Sequence, residues 1–355
     1  MQSGEGGLSH GLSRRALDRI LWRVPRTRDG RLRLLASLAL PGRPAGPFRY
    51  RGTRSDDPND LIPHEDRRDL RGLHVFCAWL NHTDAKSINS LDILVEEDCR
   101  RFVRHYLIDF GAAFGSDSDM LKNPRYGHAF ILPDGGEVWR GILNLGLVAV
   151  PWERARYPKL RAVGRFGAEA FDPETWVPNY PNPAFARRQP EDEYWAAKIV
   201  MAFSDAEIRA IVDTGQFSDP RAAAWIAETL IARRDIVGRA YFTKVPALDR
   251  FRVERFRVER FRVEDEALRF DDLAVTHGFV QPRQYEIAWF RFDNATRELT
   301  LLPGETEARI PKAGPGGYVA ARLRVPDQPE KAVLVYLRRS GQGFEVVGVE
   351  RISSV

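Results

Sequence analysis

The sequence predicts an α+β fold, a helical body followed by a β-rich C-terminal segment. Three observations carry that prediction. Residues 65–82 read as one buried helix that leads into a β-hairpin over 91–108. Helical patterns return at 137–148, 191–203, 204–214 and 219–238. From Leu268 onward the apolar residues alternate as they do in strands. With 355 residues, the chain is long enough for two domains and a sizeable core.

In chain order, residues 1–30 are weakly patterned, with one amphipathic stretch from Leu12 to Val24. Residues 31–53 mix short apolar runs with Gly and Pro, which reads as strand, loop and turn. The polar run Ser55 to Asp60 is a loop. In the helix over 65–82, Leu70, Leu73, Cys77 and Leu80 share one face. Val75, Phe76 and Trp79 make it apolar nearly all round, so it should be buried. The hairpin places strands at Leu91–Val95 and Phe102–Ile108 around a charged turn, Glu96–Arg101. Phe110–Asp119 reads as loop, and Asn179–Pro190 as a Pro-rich connection.

Residues 251–264 repeat the pentad Phe-Arg-Val-Glu-Arg in tandem. A period of five matches neither the strand period of two nor the helical 3.6. In a strand, each copy would turn its Phe and Val to the opposite face from the last. The expectation is therefore an exposed linker over 246–267. Beyond it, strand-like runs at 285–290, Leu299–Leu302, Tyr318–Val325, Ala332–Leu337 and Phe344–Val349 suggest a small sheet or sandwich.

Composition narrows the function classes. Of the 54 basic residues, seven are lysine and 47 arginine, against 49 acidic residues. The arginines are spread along the chain among acids, as in Glu65 to Asp69. A nucleic-acid footprint should instead be a patch, which argues against that partner. No run approaches the length of a membrane span, and the polar start lacks a signal-peptide core, so the chain as given reads as cytoplasmic. The two cysteines, Cys77 and Cys99, show no metal-ligand spacing. Cys77 sits in an apolar run, as a buried thiol does.

The chemistry concentrates in His82-Thr83-Asp84-Ala85-Lys86-Ser87-Ile88-Asn89, with the spacing H-x-D-x-K-x-x-N. Twenty residues beyond Asn89, an apolar strand ends in Asp109-Phe110-Gly111. Four fixed residue types at fixed spacing should arise by accident in about a few of every thousand such chains, at ~5% usage per type. The ordered Asp-Phe-Gly makes accident rarer. Phosphoryl transfer needs positioning and charge neutralisation more than covalent work. Asp84 could orient an attacking hydroxyl and take its proton. Lys86 places a positive charge near a moving phosphoryl group. Asn89 and Asp109 offer the hard oxygens that Mg²⁺ prefers. In isolation each has an ordinary reading: a helix cap or turn for Asp84, a solvated charge for Lys86, a turn residue for Asn89, a strand-ending turn for Asp109.

Together these residues, within Arg51 to Gly115, resemble the catalytic loop and DFG of the kinase-like superfamily, less its typical protein kinases than its HipA-type and lipid-kinase-like branches. More closely, Leu32 to Phe242 is similar to a family of uncharacterised bacterial proteins. The resemblance rests on Phe48 to Asp60, Arg67 to Trp79, Arg104 to Leu107, Trp195 to Ser204 and Ile231 to Gly238, and extends to Trp289 to Thr296. It implies a protein-kinase-like fold with ATP and Mg²⁺ as cofactors. On that reading Asp84 and Lys86 are catalytic, and Asn89 and Asp109 bind metal and nucleotide. The implied organisation is a partial N-terminal lobe over 1–69, a helical lobe over 70–245, the linker, and a β domain over 268–355. The phosphate acceptor and the oligomeric state stay open.

Two features depart from the pattern. The hairpin between Asn89 and Asp109 is long for a protein kinase. The first lysine of the chain is Lys86, so the small lobe's ATP-gripping lysine has no equivalent before it. Ser3 to Gly7 is the only Gly-rich candidate for a phosphate loop, and it follows no strand. Arg49 and Arg51 are the nearest substitutes, but arginine and lysine differ in shape and reach. The chain reads as one that starts midway through the small lobe. The expected activity is weak or absent phosphoryl transfer. The alternatives are an active phosphotransferase with an unusual nucleotide clamp, and a non-catalytic binding module.

Overall fold

The structure, a computed structural model, describes residues 13–24, 26–27, 29–32, 37–117, 120–132, 151–258, 263–304, 307–326, 328–341 and 343–352. The expected helix at 137–148 and the Gly-rich run Ser3 to Gly7 lie outside them. The fold is α+β, with helices in the middle of the chain and a sheet at its C-terminal end. Two compact units are present, one of Met1–Ala45 with Ile93–Arg104, the other of Gly46–Asp92 with His105–Val355. Among the described residues, no helix is long and apolar enough to cross a membrane.

In the first unit, helix α1 (Arg14–Arg23) starts at Ser13, whose hydroxyl accepts the Ala16 N–H at 3.3 Å. The hairpin of β2 (Ser90–Glu97) and β3 (Arg100–Leu107), of which Ile93–Arg104 belongs to this unit, closes through Asp98 and Cys99, at φ 49° and 61°. Positive φ at both central residues suits a two-residue hairpin turn. Strand β1 (Arg43–Gly46) lies beside β2, giving the sheet order β1-β2-β3.

In the second unit, helix α2 (Arg68–Leu80) occupies most of the span the periodicity predicts, behind a 3-10 turn at His64–Asp66. Leu70, His74, Val75, Cys77, Ala78 and Trp79 are buried, as an all-round apolar helix requires. Cys77 is a buried free thiol and Cys99 an exposed one. The short strands β4 (Ser116–Asp117) and β5 (Met120–Leu121) pair antiparallel, and after the short helices α3 (Pro151–Arg154) and α4 (Pro183–Ala186) come α5 (Pro190–Met201), α6 (Asp205–Asp213) and α7 (Pro220–Phe242). Helix α2 packs on α5 and α7 through Val75, Trp79, Ala197, Val200, Ile226 and Leu230. Gly72 makes the α2–α5 approach close, since a Cβ there would lie 2.9 Å from the Trp195 ring.

The pentad region corrects the sequence reading. In place of a linker, Leu248–Val258 forms β6 and pairs antiparallel with β7 (Val263–Asp272). The face switching that argued against a strand does occur. Phe251 and Val253 of the first copy pack against the β core, while Phe256 of the second is exposed. One exposed Phe is cheaper than the ladder and its cross-strand charges are favourable. Arg252 meets Asp271 at 3.0 Å and Arg269 meets Glu254 at 2.6 Å. The acidic partner strand thus decides the structure, and β structure begins twenty residues earlier than Leu268.

After a short helix α8 (Leu273–Thr276), strands β8 (Glu286–Phe292), β9 (Leu299–Leu301), β10 (Tyr318–Arg324), β11 (Ala332–Ser340) and β12 (Gly343–Ile352) form one antiparallel sheet. Its order is β12-β11-β10-β8-β9. Leu248 and Leu268 of the β6–β7 ribbon share its core with Trp289, Val319, Leu323, Val333 and Val335. The expected small sheet is therefore present, with the pentad ribbon packed on it.

One pH consequence follows from α2. His74 is 1% exposed and donates from Nε2 to the Trp176 carbonyl at 3.0 Å. Burial, reinforced by the charge of Arg188, pushes its pKa down to about 3. The imidazole is therefore neutral when folded and protonates readily when unfolded. Its stability contribution is complete above about pH 6.5 and is lost as pH falls from there toward 3, at about 1.4 kcal/mol per pH unit. Thermal melts between pH 7 and 4.5 should show this decline, with a shallower slope for His74→Gln.

Candidate functional site

Helix α2 ends at Asn81, a left-handed residue at φ 51°. The chain then turns through His82, Thr83 and Asp84 to a 3-10 turn at Ser87–Asn89 and into β2. Buried cations brace this turn. The Arg233 guanidinium of α7 donates to the carbonyls of Ala78, Trp79 and Gly167, two of them at the C-terminal end of α2. Lys122 Nζ donates to the carbonyls of Asn81 and Ala112. Burial pushes the Lys122 ammonium down to about 7. Trp176 Nε1 donates to Asn81 Oδ1 at 3.0 Å, and the Asn179 N–H to the Thr83 carbonyl at 2.7 Å. The loop is held from both sides, as a precise site requires.

Within it, three of the four sequence-selected residues meet directly. Lys86 Nζ lies 3.0 Å from Asp84 Oδ1. Asn89 Nδ2 donates to both the Asp84 carbonyl and Asp84 Oδ2, each at 2.9 Å. With the amide nitrogen so engaged, Asn89 Oδ1 accepts no hydrogen bond from a described residue. The hairpin returns the chain to this point, because the Ile108 N–H donates to the Asn89 carbonyl at 2.9 Å. Asp109 follows at φ 58°, exposed, with Oδ1 accepting the Gly111 N–H at 3.3 Å. His82 feels the charge of both carboxylates and packs on Phe110 with ring centroids 5.3 Å apart. Burial and then Lys122 push its pKa down, against the pull of Asp84 and Asp109.

Among the described residues, no three His, Cys, Asp or Glu side chains gather into a metal cage. Mg²⁺ does not require one, because it keeps several waters and commonly takes one or two protein oxygens plus substrate phosphates. Asn89 Oδ1 and the Asp109 carboxylate match that donor chemistry, two hard oxygens at the meeting of a loop and a strand end.

Asp84 and Lys86 also border an open cleft of about 610 Å³. One wall is Arg49, Tyr50 and Arg51, a segment fixed by Phe48. There the Phe48 N–H donates to Ser90 Oγ at 2.8 Å, and Ser87 Oγ donates to the Phe48 carbonyl at 2.7 Å. The other wall runs from Pro178 to Ala186, with Tyr180 beneath Lys86, Nζ 5.6 Å from the ring centroid. Asn89 and Asp109 do not line this cleft. Sequence reasoning passed over Tyr50 and Asn182 and took Asn179–Pro190 for a plain connection. No sequence signal joins segments almost a hundred residues from Thr83. Arg49 and Arg51, weighed only as substitutes for a nucleotide lysine, stand here beside Asp84 and Lys86.

Compared with family models, with curated proteins and with solved structures, the chain matches none of them.

Proposed function

We propose that the second unit carries a kinase-like, nucleotide-dependent phosphoryl-transfer centre built on Asp84, Lys86, Asn89 and Asp109, with slow turnover. The observation that carries this reading is the double hydrogen bond from Asn89 Nδ2 to the backbone and carboxylate of Asp84. It commits the asparagine's nitrogen to the loop and leaves its Oδ1 without a hydrogen bond from a described residue, in the residue whose carbonyl receives the Ile108 N–H, one position before Asp109.

The chemistry assigns a task to each residue. Asp84 accepts the proton of an acceptor hydroxyl as its oxygen bonds to the γ-phosphorus of ATP and the bond to the β–γ bridging oxygen breaks. Lys86, paired with Asp84 in the free protein, supplies positive charge to the phosphoryl oxygens. Asn89 and Asp109 would hold Mg²⁺, which neutralises phosphate charge when bound. Residues 1–85 hold no lysine, so none of them sets an ammonium on the phosphates. A fixed cation on the phosphates is typically worth several kcal/mol of transition-state stabilisation, on the order of the 3–4 kcal/mol of one oxyanion donor.

The same absence favours a second reading, a nucleotide-binding module without transfer. Calorimetric titration with Mg-ATP tests what the two readings share. Asp109→Ala should weaken binding by about tenfold or more, a loss of about 1.4 kcal/mol, and should leave the melting temperature within a few degrees because Asp109 is exposed. Equal affinity of the two proteins, or no binding by the wild type, refutes both.

A further inference from the structure

The geometry points to the Arg49–Tyr50–Arg51 cleft as a binding site for a small, soluble hydroxylated phosphomonoester, such as a sugar phosphate. This assignment deepens the proposed function, since it names the acceptor class, and it rests on that reading for the role of Asp84. Binding itself does not depend on it.

Three observations carry the assignment. The first is unused hydrogen-bonding capacity just beneath the cleft, in residues that border it. Tyr50 Oη, Thr83 Oγ1 and Asn182 Nδ2 have no hydrogen-bond partner among the described residues. Their residues are 7%, 1% and 6% exposed. Buried polar groups are rarely left unpaired, and exceptions mark strain, water or a ligand. Tyr50 stays a neutral phenol, because burial pushes its pKa well above the ordinary value. It is a donor to a ligand oxygen and not an anion that would repel a phosphate.

The second observation is charge. Most arginines near this site are committed to acids: Arg54 to Asp56 and Asp92, Arg67 to Asp60, Arg187 to Asp66. Arg49 and Arg51 make no ion pair or side-chain hydrogen bond with a described residue, and both line the cleft. A guanidinium presents a planar fork of donors that matches phosphate oxygens. Lys86 adds a third positive charge, and among the described residues Asp84 is the only carboxylate on the lining.

The third is position and size. The cleft includes Asp84 and Lys86 but neither Asn89 nor Asp109. A ligand here therefore meets the proton acceptor without touching the metal-type oxygens, which suits an acceptor better than a nucleotide. At about 610 Å³ it falls within the range of small-molecule sites, about 300–1,000 Å³. Its polar groups sort by role. Arg49 and Arg51 suit the phosphate. Tyr50, Thr83 and Asn182 suit hydroxyls, and Asp84 suits the hydroxyl to be transferred to.

The test is titration of the full chain with glucose 6-phosphate, in EDTA and without nucleotide, followed by calorimetry. Binding should weaken at least tenfold in Arg49→Ala/Arg51→Ala and severalfold in Tyr50→Phe. Asp109→Ala should bind as the wild type does. Unchanged melting temperature of the arginine variant, whose altered side chains are both exposed, secures the comparison. The assignment is overturned if the wild type does not bind the sugar phosphate, or if the arginine variant binds it equally. It is also overturned if the protein sediments with phosphatidic acid vesicles while ignoring the soluble compound. Loss of Mg-ATP affinity in the arginine variant, with no sugar phosphate binding by the wild type, would place these arginines on the nucleotide and leave the proposed function standing. Conversely, if Asp109→Ala leaves Mg-ATP affinity unchanged, the functional reading fails, and the titration without nucleotide still decides the cleft.

Discussion

Asp84→Asn should lower the rate of γ-phosphoryl transfer from Mg-ATP, measured with labelled γ-phosphate, by about 10²- to 10⁴-fold, the usual worth of a positioned general base. Nucleotide affinity should stay within about twofold, because the carboxylate serves the acceptor and not the nucleotide. Asparagine keeps the size of the side chain. The Asn89 bond to the Asp84 backbone carbonyl, 2.9 Å, does not involve the altered group, so the loop should hold its course. What changes is basicity and the charge that Lys86 faces at 3.0 Å. A variant that turns over as fast as the wild type would remove Asp84 from the reaction. A variant that loses nucleotide affinity as well would show that the loop, and not the base, had been damaged.

Arg233→Ala should be the most destabilising single substitution at the base of the site, by about 3–5 kcal/mol, in the range found when a buried charged group's partners are left unmatched. The side chain is 4% exposed and serves three carbonyls, with distances of 2.9 Å to Trp79 and 2.9 Å to Gly167. Its guanidinium lies 3.5 Å from the centroid of Phe171 and 4.9 Å from that of Phe166. Burial pushes its pKa down to about 9, so it remains charged at neutral pH. No carboxylate pairs with it among the described residues; carbonyl dipoles at the C-terminal end of α2 do the work instead. Alanine would strand those carbonyls and leave a cavity between two aromatic rings. Urea denaturation measures the loss. Arg233→Lys should recover only part of it, because an ammonium cannot span three carbonyls set around a planar fork. Because α2 carries the Asp84 loop, the alanine variant should also lose turnover below its melting range.

Local pattern made much of this protein legible. The buried helix, the hairpin, the helices at 190–242 and the C-terminal strands all follow from periodicity, because each buries a face that its own residues define. The spacing of Asp84, Lys86 and Asn89 is likewise local, and a loop of six residues leaves few ways for them to avoid one another. The pentad strands were not legible, because their pairing depends on acids in the following segment and not on the repeat itself.

The sequence by itself determined which elements form and which loop holds the carboxylate, the lysine and the amide. Only the tertiary structure decided what surrounds them. Arg233 and Lys122 reach the loop from 149 and 38 residues beyond Asp84, and the cleft joins 49–51, 83–87 and 178–186. Such neighbours are selected by packing and by the need to satisfy buried carbonyls, and those forces act across space between segments that carry no mark of one another.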